Sequence, residues 1–367
     1  MTMTLPTPPD ILACIRSSCR AASLPLNTQA IDDFIRSVSE PDWARLSGNH
    51  GVRLPLKFDS PRQELNLLVT IGLLNFLSGY RTALHRLTGR GAYSTVLSLV
   101  LSAYLSADPG ADSNSILSAR GMAASTVGSI ASLAQITTHR EAAHPTLGPA
   151  VQVGTKDPDA FEVLELVVGV LHETGETLEA LEVESLGAWF EAELCRTRGD
   201  VGEMIHSMAT TFPAFKDVDT LDDGAEVFLF KKALWTLNAV HARFSVPAGS
   251  ESDDAAAFPV PNRVDEWPVF ADNVLPSMLV HYNILETPPV SPSPVPRPTV
   301  LRASAVYACQ RIVERAHELA DTAGEDLAWL KGWNEVGLDG YLWSLAKEGG
   351  RREAVERVVE EKGTVFY

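Results

Sequence analysis

The sequence predicts an all-α fold, a single compact helical domain with loop excursions, on three observations. Segment after segment carries apolar residues at helical spacing, alternating apolar–polar runs are scarce, and there is no strand–helix–strand rhythm. With 367 residues, 45% of them hydrophobic, the chain can bury a sizeable core.

The elements follow in order. Residues 1–10, MTMTLPTPPD, are Pro/Thr-rich and expected to fray. From residue 11 to 39, Ile11, Cys14 and Ile15, then Ile31, Phe34 and Ile35, repeat at helical spacing, with Asn27 or Thr28 as N-cap. Ser60-Pro-Arg-Gln-Glu64 reads as a helix start: Ser at the cap, Pro at the first helical position and an acid in the first turn. That helix runs through Leu65, Leu68, Val69, Leu73 and Phe76, and Gly89-Arg-Gly91 punctuates the chain before an apolar helix over 92–107. Small-residue helical segments continue to about Thr138, and amphipathic helices are expected over 161–175 and 178–195. Residues 227–244 form a strong apolar segment interrupted by a lysine pair. Pro-rich loops cover about 247–268 and 286–300, flanking 269–285. An Ala-rich helix over 302–320 and a short helix over 340–347 complete the chain.

The formal net charge of −17, with no Lys/Arg run longer than two, argues against a polyanionic partner. Nucleic-acid polymers and anionic membranes call for a basic face. A small anionic substrate needs only one or two well-placed cations. Cys14, Cys19, Cys195 and Cys309 form no C-x-x-C pair and have no zinc-ligand spacing to histidine. No metal site is expected, and a reduced, cytoplasmic compartment fits. The start lacks a basic n-region and an apolar h-region, so no signal peptide is expected. The apolar stretches 65–80, 92–107 and 121–138 read as buried helices of a soluble core: the first two are short for a span and the third is rich in Ser, Thr, Gly and Gln.

P-loop, Rossmann, zincin and α/β-hydrolase motifs are missing. His85, His139 and His144 are scattered and read as ordinary core or surface histidines. Three segments stand out. Phe212-Pro-Ala-Phe-Lys-Asp217 is a Pro-turned aromatic segment ending in a carboxylate. Phe230-Lys-Lys-Ala233 puts adjacent cations in an apolar helix, and neighbouring helical residues lie about 100° apart, so one lysine must point inward or along a groove. Phe270-Ala-Asp-Asn-Val-Leu-Pro276 sets one carboxylate at an apolar loop-to-helix junction. Each has a plain alternative: Asp217 and Asp272 can be caps, and a lysine pair can snorkel to solvent.

Read together, these segments resemble the queuosine salvage protein family, the queuosine 5′-phosphate N-glycosylase/hydrolases, in a fungal-type branch. The resemblance runs from about Leu54 to Tyr367. It rests on Leu54-Pro-Leu-Lys-Phe58, Glu64-Leu-Asn-Leu-Leu68, Leu74-Asn-Phe-Leu-Ser-Gly-Tyr-Arg81 with His85, and Gly89-Arg-Gly-Ala92. It continues through the three segments above, Leu301-Arg-Ala303, Tyr341-Leu-Trp343 and the terminal Phe366-Tyr367. It implies a fold like the helical DNA glycosylases, acting on a free nucleotide to release queuine from the 5′-monophosphate, with no cofactor beyond water. Residue by residue, Asp272 matches the aspartate of the family's F-A-D segment and is the implied catalytic carboxylate. Lys231 matches the lysine of the Y-K-R segment and would hold the 5′-phosphate. Phe230, Phe270 and Trp343 are candidates for base stacking or pocket walls, Asp217 for base recognition or support, and Asn273, Arg302 and Tyr367 for further substrate contacts. The chain departs from the family's pattern where F-A-D-Y-R reads Phe270-Ala-Asp-Asn-Val, L-W-D reads Leu342-Trp-Ser344, E-I-R reads Val300-Leu-Arg302, and H-P-L reads Leu54-Pro-Leu. Two alternatives stay open: a nucleoside-binding paralogue that does not cleave, motivated by Ser344, and an interaction protein using the Pro-rich 286–300 loop.

Overall fold

A computed structural model describes residues 5–48, 56–106, 115–144, 146–245, 258–287, 296–322, 325–348 and 355–367. The Leu54 departure, half of the first Pro-rich loop (to 257) and most of the second (288–295) lie outside these residues. Among the described residues the chain is mostly helical, with 63% of them in helices. In chain order the helices are α1 (Ile11–Ala21), α2 (Thr28–Ser37), α3 (Glu40–Leu46), α4 (Pro61–Leu73), α5 (Arg81–Thr88), α6 (Ala92–Leu105), α7 (Ala119–Ala123) and α8 (Val127–Ala134). The hairpin β1 (His139–His144) and β2 (Gly148–Lys156) comes next, then α9 (Pro158–Ala180), α10 (Leu186–Thr197) and α11 (Val201–Thr211). A second antiparallel pair, β3 (Val218–Thr220) and β4 (Glu226–Phe228), leads to α12 (Lys231–Phe244), α13 (Val274–His281), α14 (Pro298–Thr322) and α15 (Glu335–Leu345).

Contacts divide the chain into two interleaved compact units, one of residues 1–57, 193–210 and 215–360, the other of residues 58–192, 211–214 and 361–367. In the first, α14 packs against α1, α2, α13 and α15. Its Ala303, Ala305, Ala308 and Ala316 are fully buried, which lets neighbouring helices approach closely. In the second, α9 packs against α7, α8 and α5, and α6 against α4, α5 and α8.

Local chemistry explains most boundaries. Asn27 caps α2 by accepting the Ala30 N–H, and Ser60 caps α4 by accepting that of Gln63, with Pro61 in the first turn, as the sequence leads one to expect. α9 begins earlier than its periodicity suggests, because Asp157 caps it and Pro158 opens it, and it continues to Ala180. The expected break near 176 is absent. The chain turns instead beyond Leu181, where Glu182 takes a φ of 57°.

Three expectations are corrected. Strands do occur, as two small antiparallel pairs. β1 and β2 are largely solvent-exposed, so neither shows the apolar–polar alternation that burial of one face would impose. Residues 227–244 are not one helix: 226–228 pair as β4, and Phe230, at φ 48° and ψ 35°, breaks the segment before α12. Residues 5–10 do not fray in full. Pro8–Asp10 form a 3-10 turn, the Pro6 carbonyl lies 3.0 Å from His206 Nδ1, and a Cβ at Gly202 would fall 2.2 Å from the Pro8 carbonyl oxygen.

Among the described residues no single helix is long and apolar enough to cross a membrane. The residues of α4 from Leu67 to Leu73 are buried, so its apolar length reflects a core position.

Gly175 shows how tightly α9 meets α7: a Cβ there would stand 2.3 Å from the Ala123 nitrogen and 2.6 Å from the Ala119 carbonyl oxygen, both backbone atoms. Alanine is the better helix former by about 1 kcal/mol. The forced separation of two helix backbones opposes that gain, and overpacking of this kind costs about 1–3 kcal/mol. Gly175→Ala is therefore expected to lower the thermal midpoint; an unchanged or raised midpoint would show that α7 yields.

Candidate active site

Asp272 and seven other sequence-derived candidates, namely Asp217, Phe230, Lys231, Phe270, Asn273, Arg302 and Trp343, lie in the first unit; Tyr367 lies in the second. Asp272 lies near the end of an irregular stretch that runs from Trp267 into α13. Its Oδ1 accepts the Val274 N–H at 2.7 Å, a two-residue turn that starts the helix, and the residue is half-buried. The capping alternative is thus true of Asp272, and one cap leaves the second oxygen for other chemistry.

Asp217, in contrast, is engaged on every side. Arg302 Nη1 donates to Oδ1 at 3.0 Å and Nη2 to Oδ2 at 2.7 Å, a bidentate pair whose side chains are 3% and 5% exposed. Oδ2 also accepts the Lys231 N–H at 3.1 Å, and the Asp217 carbonyl accepts the N–H groups of Leu229 at 3.0 Å and Phe230 at 3.3 Å. One aspartate therefore both caps α12 and holds Phe230 in its left-handed conformation. Such a conformation is unfavourable for a non-glycine residue and persists only where its surroundings over-determine it.

Both members of the lysine pair are buried, so neither snorkels to solvent. Burial lowers the Lys231 pKa to about 8, with Asp272 the strongest opposing influence, ahead of Asp217 and Asp339, while Arg302 adds to the lowering. Lys232 is lowered well below the ordinary lysine value by burial and by Lys231; its amine lies 5.4 Å from the Phe215 ring centroid.

The aromatic candidates are distributed less simply. Phe230 and Phe270 are core side chains, and Phe230 lies nearly parallel to Phe228 with centroids 6.2 Å apart. Trp343 is half-buried on α15, with the Lys347 ammonium over its ring. Asn273 is buried, and its carbonyl accepts the Ser277 hydroxyl at 2.8 Å. Tyr367, buried in the second unit, donates to Glu361 at 2.5 Å. At the L-W-D departure the Ser344 hydroxyl faces the Leu46 carbonyl oxygen at 3.4 Å, against α3.

Two further carboxylates stand outside the sequence expectations. Asp339 and Glu335 lie one turn apart on α15, and with Trp343 they form one i, i+4 stripe. Asp339 Oδ2 accepts the Phe270 N–H at 2.6 Å, two residues before Asp272. Burial, then the Asp272 charge, raises Asp339 well above the usual carboxylate range, opposed by the Phe270 amide and Lys231. Glu335 is paired with Arg16, yet burial dominates and its pKa is raised from 4.5 to about 7. The signal was present: Asp339 is a lone acid in the apolar run Val336-Gly-Leu-Asp-Gly-Tyr-Leu-Trp343.

The folded chain holds the Glu335 proton to higher pH than the unfolded chain does. Stability therefore falls as pH rises from 4.5 to about 7, by about 3 kcal/mol at about 1.4 kcal/mol per pH unit. Lys231 acts with the opposite sign in another window, stability rising between about 8 and 10.5. Urea midpoints are expected to decline through the first window, and Glu335→Gln to remove part of that slope. An unaltered slope in the variant would assign the titration elsewhere.

Among the described residues no group of three or more His, Cys, Asp or Glu side chains could hold a metal ion. The arrangement instead offers a half-buried carboxylate and a buried ammonium on two backbone segments joined through Arg302 and Asp217. The chain matches no curated protein. The model of the queuosine salvage protein family does match it, over residues 134–367, a span that includes Asp217, Lys231, Asp272, Arg302 and Asp339. By that match, which takes in well over half its length, the chain belongs to the queuosine salvage protein family.

Proposed function

We propose that the protein hydrolyses the N-glycosidic bond of queuosine 5′-monophosphate, or a closely related modified nucleotide, with Asp272 as the catalytic carboxylate. The observation that carries this reading is that the backbone before half-buried Asp272 and the backbone of buried Lys231 are joined through Arg302 and Asp217, in a chain of the queuosine salvage protein family. As the bond from the anomeric carbon to the base nitrogen lengthens, positive charge builds on the sugar, and an adjacent carboxylate stabilises it. The same carboxylate orients a water molecule or accepts its proton; the water oxygen bonds to the anomeric carbon, and the base departs with the bonding electron pair and takes up a proton. Lys231 supplies a positive charge for a phosphate oxygen. The net charge of −17 fits a mononucleotide substrate better than a polymer.

Purified protein incubated with queuosine 5′-monophosphate, with queuosine and with GMP tests this, free base being followed by chromatography. Release from the first and little from GMP is the expected result. Tight binding without release would favour the non-cleaving paralogue, and neither binding nor release would reject both.

A further inference from the structure

We infer that the buried Arg302–Asp217 pair is a positioning clamp, which fixes the Asp272 loop against the start of α12 and so sets the spacing of the Asp272 carboxylate and the Lys231 ammonium. What that spacing serves rests on the proposed function; the clamp itself rests on geometry. Arg302 projects from α14 and uses three different nitrogens. Nε donates to the Ala271 carbonyl at 2.9 Å, immediately before Asp272, while Nη1 and Nη2 take both oxygens of Asp217. Asp217 in turn holds the Lys231 N–H and, through its carbonyl, those of Leu229 and Phe230. From Asp272 the chain of bonds runs through one peptide, one guanidinium and one carboxylate to Lys231.

Three features separate this role from a substrate contact or a bare stabilising ion pair. Both side chains are almost wholly buried, and the contacts just named already engage both Asp217 oxygens and three nitrogens of Arg302. The geometry uses the planar fork of arginine, which a lysine ammonium cannot reproduce. A buried ion pair is also a poor route to stability compared with apolar side chains of similar volume, whereas a bridge between two backbone segments has no apolar substitute. Asp339 holds the Phe270 N–H, so the peptides that flank the Phe270–Ala271 pair are both tethered.

The test compares Arg302→Lys, Asp217→Asn and the double variant Arg302→Met with Asp217→Leu in the full chain. Amide hydrogen exchange is read over residues 270–274 and 229–232, alongside thermal midpoint, kcat and KM for base release. Both single variants are expected to lose protection in these two segments together while α1 keeps its own. Turnover should drop about 100-fold with KM changed only a few-fold, as misplacement of reacting groups predicts. The double variant should recover much of the thermal midpoint and none of the turnover. Recovery of turnover along with the midpoint would reduce the pair to a structural role, and a raised KM at constant kcat would make it a substrate contact. Unchanged exchange in both segments would overturn the clamp outright. If the wild type releases no base, the proposed function fails while the exchange data still decide the clamp.

Discussion

Asp272→Asn is expected to lower base release from queuosine 5′-monophosphate by about 10²–10⁴-fold while leaving the fold intact. Asparagine is nearly isosteric and its side-chain oxygen can still accept the Val274 N–H that starts α13, so the cap survives. The variant lacks the negative charge that faces the developing oxocarbenium ion and the capacity to take a proton from water. The change should appear in kcat, because the interaction strengthens only as the bond breaks. Loss of the charge also leaves Lys231 with less opposing its burial, so its pKa should fall below about 8. Near-normal turnover in a folded Asp272→Asn protein would move catalysis to another carboxylate, with Asp339 the next to substitute because it is buried and holds the Phe270 N–H two residues before Asp272.

The second large effect is on stability. Asp217→Ala should destabilise the first unit by about 3–5 kcal/mol, the usual loss when one partner of a buried pair is removed. The variant leaves the Arg302 guanidinium inside the protein without its carboxylate and takes away an acceptor of the Lys231 N–H at the start of α12. The pair Arg311–Glu314 on the same helix α14 gives the contrast: its side chains are 41% and 40% exposed, and Arg311→Ala should change stability by no more than about 0.5 kcal/mol. Urea titrations of the two variants side by side check the difference. Comparable losses would mean that solvent screening separates these pairs less than their burial implies.

How far each feature was legible depends on the range of the interactions behind it. The helical class, the α2 cap at Asn27 and the α4 start at Ser60-Pro61 follow from spacing and side-chain chemistry within a few residues, and the structure agrees with them. The segment around Asp272, and its second character as a helix starter, could likewise be read locally. The long-range arrangement could not. Helical periodicity says that one lysine of the pair faces inward, but only the packing of the first unit buries both. The break at Phe230 depends on acceptors of Asp217, thirteen residues upstream, and a run of apolar residues by itself favours an unbroken helix. The β1–β2 hairpin escaped notice because its exposed strands need no alternating pattern. Above all, Arg302 meets an aspartate 85 residues away in sequence and a carbonyl 31 residues away, and Asp339 meets an amide 69 residues away. Spacing and local side-chain chemistry are enough for the helical class, for several helix starts and for which residue types are available for chemistry. Tertiary structure decided which of those residues are desolvated and which face one another, because burial and pairing depend on segments far apart in the chain, whereas periodicity reports only the face that each segment turns to its surroundings.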